Sequence, residues 1–133
     1  LKGAEATAMA IYLARTGHSK DEIRKVVSDQ YYNLDFCLDD IRATYRFNET
    51  CQETVPQAIQ AFLEAESFEE TIRNAISLGG DSDTLAAIAG SIAEAYYGVP
   101  DVMVEKALGY LDGEQLAIYD EWIHQYFDKG EVQ

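Results

Sequence analysis

The sequence has 133 residues, 47% of them apolar, and carries a net charge of −14 from 24 acids against 10 lysines and arginines. That is one domain's worth of chain with enough apolar surface for a globular core. The acidic balance argues against binding nucleic acid or an anionic membrane surface, which takes a basic patch. Neither a secretory signal nor the roughly 18-residue apolar run of a membrane span is read here, so no membrane partner is expected. Cys37 and Cys51 form neither a disulfide framework nor a CxxC pair, so reduced thiols and a cytoplasmic setting are expected.

The chain opens Leu1-Lys2-Gly3, without an initiating Met, and enters a helical pattern at once; this reads as a piece of a longer protein. Residues 3–16, "GAEATAMAIYLART", are small or apolar almost all round and stop at Gly17. Ser19 and Glu22 form a capping box for an amphipathic helix of about 20–32. Residues 33–50 are looser, with one short helix expected near 38–43. A further helix starts near Pro56, with Ile59, Phe62 and Leu63 on one side and Glu64 and Glu66 on the other. Ser67 and Glu70 form a second capping box, for a helix through Leu78. Asp83 or Thr84 opens the next helix, which runs to Tyr97 and stops at Gly98, with Pro100 beyond. Asp101 and Asp112 are caps for the last two helices, the final one carrying Trp122 and Phe127.

These signals predict an all-α orthogonal bundle of about seven helices, with no convincing strand. The helices at 3–16 and 84–97 are apolar on every side, and such helices must be surrounded. Either they pack together at the centre, or a face of each is made for other chain.

The stretch "SLGGDSDTLAAIAG", residues 77–90, places two glycines, two acids and a threonine at the mouth of an apolar helix. Gly79 and Gly80 allow positive φ and close backbone approach. Asp81, Asp83 and Thr84 offer only oxygen ligands, the set suited to Mg²⁺, Ca²⁺ or Mn²⁺. The helix behind would hold them rigidly against the core. The alternative is structural: Asp83 caps the helix, Asp81 makes an Asx-turn, and the glycines end the preceding helix.

The segment "ISLGGDSDTLAAIAGSIAEAYYG", 76–98, resembles the C-terminal signature of the ADP-ribosylglycohydrolase family, which includes the dinitrogenase-reductase-activating glycohydrolases. That signature is a Gly-Gly-Asp-x-Asp-Thr loop leading into a small-residue helix that ends Ala-x-Tyr-Gly. "CQETVPQAIQAFLEAESFEETIRNAIS", 51–77, is similar to the family segment before it, and "KGAEATAMAIYLARTG", 2–17, to a helix further upstream. The resemblance implies the C-terminal half of a larger all-α fold, so that residues 1–133 are one fragment of the family's domain. It implies hydrolysis of the bond between ADP-ribose and a protein side chain or related acceptor. It also implies two Mg²⁺ ions, or Mn²⁺, with Asp81, Asp83 and Thr84 supplying part of their coordination. The ions would orient the sugar and stabilise charge near its anomeric carbon, through an oxocarbenium-like state.

The family's Gly-Asp-x-x-Gly stretch, catalytic Glu region and Thr-Asp-Asp metal motif have no counterpart in these residues. The nearest string, Leu38-Asp39-Asp40, stands in the wrong setting. Catalytic groups are therefore expected in an N-terminal half, which is itself an expected partner, as is a self-associated copy. Gly79, Gly80, Phe47 and Glu53 are expected to line the substrate pocket. His18 and His124 lack partners at metal or triad spacing and read as packing or surface residues. Tyr31-Tyr32 and Tyr96-Tyr97 read as anchors at the core rim, Glu69-Glu70 as acids of a helix start, and the Asn48 sequon as incidental. The alternatives to the hydrolase are an inactive ADP-ribose- or metal-binding regulatory module, and a plain helical scaffold.

Overall fold

The computed structural model describes residues 1–46 and 53–127. Those residues form eight helices and no strand: α1 (Lys2–Arg15), α2 (Lys20–Gln30), α3 (Leu38–Arg42), α4 (Val55–Leu63), α5 (Phe68–Ser77), α6 (Ser82–Tyr97), α7 (Asp101–Leu108) and α8 (Gly113–Tyr126). The all-α class is as the periodicity predicts. The count exceeds the expected one because the five-residue α3 stands as a helix of its own. The chain divides into two compact units, Leu1–Gly98 and Val99–Gln133.

In the first unit α6 is the hub, packing against α1, α4 and α5. Its small residues permit this: Leu85, Ala89, Gly90, Ile92 and Ala93 are buried, and α1 meets it with Ala6, Ala10, Leu13 and Ala14. The two small-residue helices therefore pack together at the centre. Gly90 marks the closest approach of α5, since a Cβ built there would lie 3.0 Å from Ile72 Cδ1. Around this hub Phe62, Ile59, Ile23, Val27 and Leu34 complete one core cluster; Leu38, Ala58, Ala61, Ala75, Leu78 and Leu85 form a second.

Polar groups tie the shorter elements to that core. Arg24 donates to the Leu34 carbonyl (3.0 Å) and to Gln60 Oε1 (3.2 Å). Gln60, almost fully buried, passes its own amide to Glu64 Oε1 (2.7 Å). The same oxygen accepts from the Leu38 N–H (3.0 Å) and so fixes the start of α3. On the other side Lys20 reaches the Ala65 carbonyl under the rings of Phe62, Tyr96 and Tyr97, and Tyr97 donates to the same carbonyl (2.9 Å). Burial under those rings pulls the Lys20 ammonium below its ordinary range.

The helix ends correct several expectations. Ser19 and Glu22 make the full capping box, as do Asp112 and Gln115. At α5 only half of one forms: Ser67 accepts from the Glu70 N–H, but the Glu70 carboxylate takes the Glu66 N–H, one residue upstream. Asp101 is the first residue of α7 rather than its cap, because Pro100, with its fixed φ, takes the cap position. Gly17 and Gly98 stand at φ +85° and +73°, in the left-handed region expected of helix stops. His18 bonds Thr16 and the Leu13 carbonyl at the end of α1, a packing role. No helix among the described residues is long and apolar enough to cross a membrane.

In the second unit α7 and α8 have no buried residue, and Trp122 stacks on Tyr126 at 4.3 Å between centroids.

Candidate metal centre

The loop between α5 and α6 is built by two glycines with different tasks. Gly79 turns the chain at φ +71°, where a side chain would be strained. Gly80 leaves room for a neighbour: a Cβ built on it would overlap Tyr45 Cε1 and lie 3.1 Å from Cδ1 and 3.3 Å from Cζ. The next residue, Asp81, is the N-cap of α6, so the helix starts at Ser82, ahead of the expected Asp83 or Thr84. The physical reason is that the Asp81 carbonyl already accepts the Leu85 N–H at 2.9 Å.

The structural alternative is met in part: an acid does take the N-cap of α6, though it is Asp81 rather than Asp83, and Gly79 turns the chain just after α5. The Asp81 side chain makes no capping bond. Asp83 Oδ1 accepts the Thr84 N–H at 3.0 Å. Instead the three side chains turn toward one another. The Asp83 carboxyl and then the Thr84 hydroxyl hydrogen-bond to Asp81 and hold its carboxyl below the usual range. Asp81 is half-buried, while Asp83 and Thr84 are exposed. An oxygen-only trio of two acids and a hydroxyl fits Mg²⁺ or Mn²⁺, and Asp81, Asp83 and Thr84 would hold it. Among the described residues no group of three or more Asp, Glu, His or Cys side chains is placed to bind a metal, and Asp81 and Asp83 are the two carboxylates this loop brings.

Beside the loop lies a cavity of about 290 Å³ lined by Ile41, Thr44, Tyr45, Arg46, Glu53 and Gln57. Glu53 is one of the residues lining this cavity; Phe47 lies outside the described residues. Gly79 and Gly80 shape the turn, and of the two only Gly80 has a neighbour close enough to meet an added side chain. Among the described residues Gln57 Oε1 is buried without a hydrogen-bond partner. Tyr45 Oη donates to the Glu53 carbonyl at 2.6 Å, and burial pushes its phenol up, so it remains a donor at neutral pH.

Sequence reasoning missed Tyr45 and Gln57. Tyr45 stands in the stretch without periodicity, and its one trace is the second glycine, Gly80, whose positive φ is not needed. Gln57 looks like an ordinary polar position of an amphipathic helix and carries no signal of its own.

The family model for ADP-ribosylglycohydrolase matches residues 1–131. The ADP-ribosylhydrolase ARH3 of Homo sapiens is 40% identical over 82 residues, covering 59% of this chain and 21% of that protein. The Bos taurus ARH3 is 38% identical over 91 residues, with 58% and 24% covered, and that of Gallus gallus 45% identical over 60 residues, with 37% and 16%. The chain thus spans less than a quarter of the length of the first of these relatives. No solved structure gives a significant match.

Proposed function

This chain belongs to the ADP-ribosylglycohydrolase family, and from that premise we propose that it carries part of a divalent-metal centre for releasing ADP-ribose from an ADP-ribosylated protein or related acceptor. The observation that carries the reading is the convergence of Asp81, Asp83 and Thr84 at the start of α6. Mg²⁺ bound there would supply orientation of the ribose hydroxyls and stabilisation of charge near the anomeric carbon. The chain's own residues do the rest of what is proposed here. Asp81 and Asp83 bring the negative charge and Thr84 a neutral oxygen. The apolar body of α6, buried against α1, α4 and α5, keeps the three from drifting. The adjoining cavity receives part of the ligand, with Gln57 Oε1 accepting an N–H and the Arg46 guanidinium facing its anionic portion.

Three oxygen ligands leave at least half of an octahedral shell to water or to other chain. The longer relatives make other chain the natural source, and the acidic group at the anomeric carbon belongs there too. A second reading, a metal- or ADP-ribose-binding module without turnover, is favoured by the same count of two carboxylates. The two are separated by assaying ADP-ribose release from residues 1–133 alone and joined to the upstream portion of a longer relative. The hydrolase reading expects no release by the first, Mg²⁺-dependent release by the second, and loss of it in Asp81→Asn and Asp83→Asn. Robust release by residues 1–133 alone contradicts the divided site. No release by the joined protein contradicts the hydrolase.

A further inference from the structure

We propose that Tyr45 is a positioning residue for the metal loop: its ring seats Gly80 and thereby sets the direction in which Asp81, Asp83 and Thr84 leave the turn. The proposal rests on the metal reading of those three residues and goes beyond it in naming what holds them.

Three observations carry it. First, the ring of Tyr45 occupies the space that a side chain at Gly80 would need, with Cδ1 and Cζ at 3.1 and 3.3 Å from a built Cβ. A planar ring against bare backbone is a contact that only glycine permits. Second, the ring is held at both ends. Its backbone N–H bonds the Ile41 carbonyl at 2.8 Å, and its hydroxyl bonds the Glu53 carbonyl at 2.6 Å. Third, the segment bearing it is fixed from the core, through the chain of bonds from Arg24 to Gln60 to Glu64 to the Leu38 N–H. Tyr45 also packs on the cluster of Leu38, Ala58, Leu78 and Leu85, the last of these one residue past Thr84. The metal loop's own bonds are local: the Gly79 N–H to the Ile76 carbonyl at 3.1 Å, the Leu85 N–H to the Asp81 carbonyl at 2.9 Å, and Ser82 Oγ to the Gly80 carbonyl at 3.4 Å. The aromatic wall under Gly80 is the contact that ties this loop to the segment after α3.

Residues that orient metal ligands from behind typically change metal affinity by 10–100-fold when removed. The experiment uses the whole chain, with Mn²⁺ binding followed by water-proton relaxation and amide hydrogen exchange at residues 81–84 followed without metal. In Tyr45→Ala the Mn²⁺ dissociation constant should rise about tenfold or more, and exchange at 81–84 should quicken. Tyr45→Phe keeps the ring and loses the hydroxyl; it should restore both readouts to within about threefold of the wild type. Gly80→Ala should weaken Mn²⁺ binding too, and adding it to Tyr45→Ala should cost little more, because the two act through one contact. Unchanged affinity and exchange in Tyr45→Ala would overturn the proposal, as would a Tyr45→Phe variant as damaged as Tyr45→Ala. Failure of the wild type to bind Mn²⁺ would instead overturn the metal reading, and the exchange rates would then decide the role of Tyr45 alone.

Discussion

The Ala65 carbonyl accepts from two side chains, Lys20 and Tyr97, and both titrate away from their ordinary ranges. Burial raises the Tyr97 phenol first, and the nearby carboxylates of Glu70 and Glu66 raise it further. A raised phenol means that the folded state holds the proton more tightly than the unfolded one. Its contribution to stability is therefore complete below the ordinary tyrosine value, about 10, and is lost as pH climbs through the folded value. Urea unfolding of the wild type and Tyr97→Phe should differ by a constant amount from neutral pH to about 9, and the difference should shrink above about 10. A difference that grew with alkalinity would reverse the assignment. Gly80 makes a separate point at this scale. Its use lies in a missing Cβ rather than in a special φ, which only the structure shows.

Caps decide the legibility of whole elements. The starts of α2 and α8 were readable because all their partners lie within four residues: Ser19 with Glu22, and Asp112 with Gln115. Substituting Ser19 by Ala should cost about 1 kcal/mol in chemical unfolding and Ser19→Gly only a few tenths. No loss in Ser19→Ala would show that the hydroxyl is not what caps α2. The α6 start lies at Ser82, a residue or two before the expected one, because Asp81 takes the N-cap position without a side-chain capping bond to mark it. The short helix expected near 38–43 is α3, although the bond that fixes its start comes from Glu64, far along the chain. Tyr45 is least legible, since its side chain is placed by Glu53 and Gly80, outside its own element. The two small-residue helices were recognised as helices needing cover on all sides. Their mutual packing follows from the size of the residues at 6, 10, 89 and 93, which are all alanine.

At the scale of the molecule, the acids outnumber the bases by 24 to 10, yet among the described residues no three metal-binding side chains meet. The family, shown over residues 1–131, agrees with the fold and with the order of the matched segments. Apolar side chains also stand open on both units, Tyr12 and Ile76 on the first and Ile118, Trp122 and Tyr126 on the second. The central claim is nonetheless local, and titrating Mn²⁺ into the wild type, Asp81→Asn and Asp83→Asn, with helix content monitored in parallel, tests it most directly. The account predicts one weak site in the wild type, at least about tenfold weaker in each variant, with helix content unchanged; equal binding by all three proteins would contradict it.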